Sequence, residues 1–250
     1  MLDLSTAVSL FAPIALREMD NVALQTRMDT KYLFGSGKLP LLLEELDREY
    51  RMLEVNGQRG ITYRTLYFDT INRKHYFDHH NGRTLRSKVR MREYVGSTGC
   101  FLEVKRKNGR GGTEKRRIPI AAITGSLTPA QQTFVSQASH CNQPLIPMLQ
   151  NEFLRYTLVH RERLERVTID GSITFRDDQG EAALRGVCVA ELKEGRTGHG
   201  SPFAALMRSM PVPQVNMSKY CVGTLLLQPQ IKHNQFKPVM LHARRLASVA

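Results

Sequence analysis

The chain contains no tryptophan, and aromatic residues make up 7% of it, too little for the stacking platforms on which single-stranded nucleic acids bind. Its four cysteines, Cys100, Cys141, Cys188 and Cys221, lie far apart and form no CxxC. That spacing excludes a zinc ribbon and a disulfide scaffold, and makes a reducing cytoplasm the expected compartment. No apolar run approaches the ~20 residues of a membrane helix. The mildly apolar stretch 5–16 follows Asp3 without a basic start, so no signal peptide is expected. GxSxG, HExxH, a Cys/His nucleophile arrangement, an RRM signature and zinc-finger spacing are all missing. The run Gly35-Ser36-Gly37-Lys38 lacks both the first glycine of a phosphate loop, where Tyr32 stands, and the Ser or Thr after the lysine. It reads as a turn before a helix. His75, His79 and His80 stand beside Asn81-Gly82 and read as a surface hairpin rather than a metal site.

Carboxylates are scarce too. In 250 residues, 23 Asp and Glu face 36 Lys and Arg, a net charge of +13, which points to an anionic partner. These cations form no tail. They recur two residues apart inside segments that read as strands. On 25–34, Arg27, Asp29 and Lys31 share one face and Met28, Tyr32 and Phe34 lie on the other. On 84–95, Arg86, Lys88, Arg90, Arg92 and Tyr94 oppose Leu85, Val89, Met91 and Val95. Phe101, Glu103, Lys105 and Lys107 oppose Leu102 and Val104, and past a turn at 108–112, Lys115 and Arg117 oppose Ile118 and Ile120. Arg161 and Arg163 share a face, as do Glu191 and Lys193. Successive strand side chains point to opposite sides, so each segment has an apolar and an ionic side. A solvated face normally mixes signs, whereas here a few carboxylates stand among many cations. Like charges on adjacent strands destabilise a sheet, and a polyanion would relieve that repulsion.

The apolar sides need cover. Leu39, Leu42, Leu43, Leu46 and Tyr50 predict a helix over 39–50, while Thr128-Pro129 and Ser201-Pro202 read as N-caps followed by proline at the first helical position. A further helix is expected over 218–227. The expected fold is α+β, mainly antiparallel β: a closed β-barrel with a basic lining inside and helices packed around it, in a single domain over 1–250.

The ordered set Arg27-x-Asp29-x-Lys31-Tyr32, Tyr67-Phe68-Asp69-Thr70, Lys88-x-Arg90-x-Arg92-x-Tyr94 and Leu102-Glu103-Val104-Lys105 resembles the vacuolar transporter chaperone (VTC) domain. That domain is the polyphosphate polymerase branch of the CYTH-like triphosphate tunnel metalloenzymes. Arg161, the run from Arg166 to Asp170, Glu191-x-Lys193 and Ser218-Lys219-Tyr220 with Gly223 extend the resemblance over about 20–227. It implies a tunnel in which the terminal phosphate of ATP passes to polyphosphate, phosphate or pyrophosphate, with Mn²⁺ or Mg²⁺ as cofactor. By position, Lys31, Arg90, Arg92, Lys105, Lys115, Arg161, Lys193, Ser218 and Lys219 would hold phosphate. The strand-borne Lys88, Arg117 and Arg163 join them as candidates. Glu191, aided by Glu103, would hold the metal, and Arg90, Arg92, Lys105 and Glu191 would carry the transfer. Val159 stands where the family's tyrosine is expected two residues before Arg161, and Asn216 where a lysine can stand.

The expected activity is thus an ATP-dependent polyphosphate polymerase, with no membrane segment and no specific nucleic acid as partner. A metal-dependent triphosphatase is the first alternative. The ExExK signature of the wider superfamily that the chain resembles is reduced here to Arg27-x-Asp29-x-Lys31, which speaks against it, because hydrolysis must activate water. A non-catalytic polyphosphate or nucleic-acid binder is the second, and it gains nothing from Glu103 and Glu191 among the cations.

Overall fold

The computed structural model describes residues 2–22, 27–96, 99–109, 112–195 and 200–248. Its strands are β1 (Ala12–Ala15), β2 (Arg27–Gly35), β3 (Tyr50–Glu54), β4 (Ile61–Asp69), β5 (Leu85–Tyr94), β6 (Cys100–Asn108), β7 (Thr113–Pro119), β8 (Ile146–His160), β9 (Glu165–Arg176), β10 (Glu181–Leu184) and β11 (Val187–Gly195). The helices are α1 (Leu4–Ser9), α2 (Leu39–Leu46), α3 (Lys74–His80), α4 (Pro129–Ser139), α5 (Pro202–Ser209), α6 (Lys219–Leu227) and α7 (Lys237–Ala247). All strands belong to one sheet with the path β2-β11-β9-β8-β4-β5-β6-β7, and β1, β3 and β10 attach at its sides. Every pair on that path is antiparallel.

Period-two alternation sorts the side chains as expected. Val89, Met91, Leu102 and Val104 pack with Val135 and Ala138 of α4. Tyr32, Phe34, Leu158, Val167, Ile169, Ala190 and Leu192 pack with α1, α2 and α5. Each fully buried Leu, Val or Phe contributes about 1.5–3 kcal/mol, which holds the helices to the outer side. The predicted helix starts are met. Thr128 and Gln131 form a capping box ahead of α4, and Ser201 accepts from the Ala204 amide ahead of α5. Helix α2 is shorter than predicted, because Tyr50 belongs to β3, where it pairs with His160 of β8.

The sheet curls, but it does not close into a barrel. Among the described residues no ladder joins β2 to β7. The outer edge of β2 is instead met by the segment before α6, where the Val215 amide donates to the Lys31 carbonyl at 2.8 Å and Gln214 bridges Tyr32. Those ladder groups are therefore unavailable to β7, which ends the path as a strand exposed along most of its length. The curl still brings the two ends together through side chains: Lys105 Nζ on β6 lies 3.8 Å from Asp29 Oδ2 on β2. Ionic residues of β2 and β6 thus meet across the curl.

Two local features shape the ionic face. At Gly171–Ile173 the β8–β9 register shifts and Ser172 adopts φ 50°. One extra residue in β9 re-aims the chain, so Asp170 faces the ionic cluster while Ile173 and Phe175 join an apolar cluster beyond it. Helix α6 sits on this second cluster with Tyr220–Leu225 buried. Its Gly223 leaves no room for a side chain, since a Cβ would meet Leu149 Cδ2 and Phe175 Cε1 at 2.7 Å.

The histidine stretch corrects the expected surface hairpin. His75, His79 and His80 lie on α3, with His75 and His80 buried. The helix is held by Asp69 at the end of β4, whose carboxylate accepts from the His75 amide at 2.8 Å and the Tyr76 amide at 2.9 Å. Among the described residues, no helix is long and apolar enough to cross a membrane.

Candidate functional site

The ionic face is organised by three carboxylates, each held by cations. Glu103 on β6 stands between Arg90 of β5 and Arg117 of β7 in register. Its side chain is 1% exposed. It accepts from Arg90 Nε at 2.8 Å and Nη2 at 2.7 Å, pairs with Lys115 Nζ, and lies 3.9 Å from Arg92 Nη1. Burial alone would raise its pKa, but Arg90, Arg92 and Lys115 outweigh burial and hold it well below the usual carboxylate range. With three cations on two oxygens, Glu103 is a counter-ion that aims guanidinium groups.

Asp170 on β9 makes the second cluster. Arg155 of β8 grips it with Nε on Oδ1 at 2.6 Å and Nη2 on Oδ2 at 2.8 Å, and Lys219 at the start of α6 pairs with the same Oδ2. Burial pushes the Asp170 pKa up, and Arg155 and Lys219 bring it down to about 2. Lys219 falls to about 8 through burial, reinforced by Arg155 and opposed by Asp170. Arg155 Cζ lies 4.7 Å from the Tyr63 ring centroid and 5.1 Å from that of Phe153, cation–π contacts that help to hold the guanidinium.

Glu191 on β11 is the third, and the most open at 21% side-chain exposure against 1% for Glu103 and 3% for Asp170. It faces Lys31 across the β2 ladder at 3.9 Å and pairs with Lys193. Burial opposes its ionisation, but Lys193 and Lys31 keep it charged far below the ordinary glutamate range. Lys193 itself is lowered to about 8, first by burial.

Lys88 joins these clusters to α6. Its Nζ donates to Ser218 Oγ at 3.0 Å, while Lys31 Nζ donates to the Met217 carbonyl at 2.8 Å. Burial, with repulsion from Lys31, Lys105 and Arg90, lowers Lys88 to about 7. Lys105 is lowered as well, by burial first.

Most sequence-predicted residues are thereby brought together: Lys31, Lys88, Arg90, Arg92, Lys105, Lys115, Lys193, Ser218 and Lys219 surround the carboxylates. Arg117 stands on the exposed β7 with its guanidinium 4.6 Å from the Phe101 ring. Arg161 and Arg163 do not belong to the cluster. They lie in the turn after β8, where Arg161 Nη2 reaches the Asp47 carbonyl at 3.4 Å and Arg163 Nη1 the Gly200 carbonyl at 2.6 Å. The side chain of Arg27 lies outside the described residues. Val159 packs with Ile14 and Leu53. The aromatic-x-Arg spacing assigned to 159 and 161 occurs instead at Phe153 and Arg155. Sequence reading missed Arg155. The sequence signal was only its place on the same side of β8 as Asn151 and Thr157; its register opposite Asp170 appears with the fold.

Among the described residues, no group of three or more His, Cys, Asp or Glu side chains could hold a metal ion. Mg²⁺-type sites do not need one: such an ion takes one or two carboxylates and completes its shell with phosphate oxygens and water. Glu191 fits that demand by its openness, and Glu103, enclosed by cations, does not.

The family model of the VTC domain matches residues 26–228. No curated protein matches the chain. Among solved structures, the chain is similar to the adenylyl cyclase candidate HpAC1 from Hippeastrum, described as having a dominant triphosphatase activity. That match has 14% identity and a TM-score of 0.47, and covers 83% of this chain and 100% of that one. It is also similar to an adenylate cyclase candidate from Bacillus halodurans (12% identity, TM-score 0.48, 77% and 94% covered). A third match is the PH1819 protein from Pyrococcus horikoshii OT3 (10% identity, TM-score 0.45, 78% and 97% covered).

Proposed function

The chain belongs to the VTC domain family, and from that membership together with the ionic face we propose an ATP-dependent polyphosphate polymerase. The observation that carries the reading is a surplus of cations around three carboxylates, of which Glu103 and Asp170 are buried and fully engaged while Glu191 stays partly open. A triphosphate or polyphosphate supplies the charge this face lacks, and phosphoryl transfer asks for positioning and charge neutralisation more than for a covalent nucleophile.

The transfer breaks the bond between the γ-phosphorus of ATP and its bridging oxygen, and ADP leaves with the electron pair. A terminal oxygen of phosphate, pyrophosphate or polyphosphate forms the new bond. That oxygen is already ionised, so no general base is required. Water as acceptor would require one, and Glu103, Asp170 and Glu191, all held far below the usual carboxylate range, are poor bases. This favours polymerase over triphosphatase.

Arg90 and Arg92, aimed by Glu103, would spread the charge of the transferring group, with Lys105 and Lys115 beside them. Arg155, Lys193 and Lys219 would hold the rest of the chain, and Lys31, Lys88 and Ser218 would grip it where α6 begins. Glu191 would hold Mn²⁺ or Mg²⁺, which when bound neutralises phosphate charge and draws the reacting groups in line.

The test is incubation with ATP and Mn²⁺, with products resolved on a polyphosphate gel. A metal-dependent ladder that disappears in Glu191→Ala, while tripolyphosphate still binds that variant, is the expected result. Free phosphate without a ladder would replace the polymerase by a triphosphatase.

A further inference from the structure

Along β5 and β6, the charged row ends in aromatic rings. Positions on that side of β5 run Lys88, Arg90, Arg92 and then Tyr94, and those of β6 run Lys105, Glu103 and then Phe101. Tyr63 of β4 stands opposite Tyr94 in register. Tyr63 and Tyr94 meet edge to face at 4.8 Å, and Tyr94 and Phe101 lie 6.1 Å apart. All three rings are half-buried, so part of each remains open. Tyr94 is also set by the backbone, because a Cβ on Gly99 would come within 2.7 Å of its Cδ2. Arg117, exposed on β7, lies over Phe101 at 4.6 Å.

A phosphate chain has no flat face to stack, and the negative face of an aromatic ring repels it. Rings that continue a cationic row therefore suit a part of the ligand that is not phosphate. Resting on the proposed use of ATP, we infer that Tyr94 and Phe101, with the Arg117 guanidinium, seat the purine base of the phosphoryl donor. The nucleotide then lies base outward, its phosphates running inward to Arg92 and Arg90. Arg117, assigned above to phosphate from the sequence, serves the base instead: its plane closes on a stacked purine as it now lies over Phe101.

Calorimetric binding of ATP and of tripolyphosphate to the full chain and to the Phe101→Leu and Tyr94→Leu variants tests this. Both variants should weaken ATP by about fivefold or more, the range of a lost base–ring stack, and leave tripolyphosphate within about twofold. Phe101→Tyr, which keeps a ring, should keep ATP affinity. Tripolyphosphate binding certifies that each variant is folded. Equal weakening of both ligands, or no loss for ATP, would overturn the inference, the rings then serving only to prop guanidinium groups. Ring-dependent ATP binding without a polyphosphate ladder would sustain the base seat while removing the polymerase. Failure of both ligands to bind the unaltered chain would remove both.

Discussion

Glu103→Gln is the sharpest probe of the ionic face. Glutamine keeps the shape of the side chain but removes the charge that Arg90, Arg92 and Lys115 share. Because Glu103 is 1% exposed, water cannot replace it. Removing one partner of a buried ion cluster costs about 3–5 kcal/mol. At roughly 2–4 °C per kcal/mol for a chain of this size, the melting temperature should fall by about 6–20 °C. An anion placed among the same cations restores the missing charge, so saturating tripolyphosphate should raise the melting temperature of Glu103→Gln more than that of the unaltered chain. The assay is thermal unfolding at pH 7 and low salt, with and without tripolyphosphate. The carboxyl is held down in the folded state, so its stabilisation is complete above the unfolded glutamate pKa of about 4.3 and is lost as the pH falls through the lower folded value. The difference between the two proteins should therefore shrink in strong acid. A fall below about 2 °C at pH 7, or equal rescue of both proteins by tripolyphosphate, would refute the reasoning that Glu103 is an essential counter-ion.

Two further outcomes follow from the same face. Lys88, Lys193 and Lys219 are lowered to about 7, 8 and 8, so the apo protein sheds their protons near neutrality and a bound polyanion should restore them. Tripolyphosphate affinity should fall as the pH rises from 7 to 9, and binding at pH 8 should take up protons, read as different calorimetric heats in Tris and HEPES. For stability the sign is opposite. In the window between these folded values and the unfolded lysine value of about 10.4 the unfolded chain binds more protons, so these groups make the apo protein more stable as pH rises. Proton-independent binding would contradict the lowered lysines. Separately, Arg155→Ala should weaken tripolyphosphate at least tenfold through the freed Asp170 charge and the lost guanidinium, while Arg161→Ala should change it less than about twofold because a carbonyl contact in a turn is all that it loses. Equal effects would return Arg161 to the site.

Much of the site was legible because a strand announces its two faces locally. Lys88, Arg90 and Arg92 could be placed on one side of β5, and Lys105 with Glu103 on one side of β6, from a period of two alone. The caps at Thr128 and Ser201 were equally local, since a hydroxyl followed by proline needs no distant partner. The histidines of α3 failed for the complementary reason. The group that holds that helix is Asp69, on the preceding strand, and its role appears only once β4 and α3 are packed. Tyr220 shows the same dependence, as its hydroxyl donates to Asp69 at 2.7 Å from a helix far along the chain.

The sequence by itself determined a cation-rich, strand-borne ionic face and the helices that cover its apolar reverse, because alternation and capping act within a few residues. Closure, partners and roles were decided by tertiary structure. Whether β2 meets β7 depends on the segment at 214–215 taking the free edge. Which arginine faces Asp170 depends on the β8–β9 register and on one extra residue at Ser172. Whether Glu103 holds a metal or holds arginines depends on how many cations reach it. Those outcomes rest on groups far apart in the chain that become neighbours only when the sheet curls.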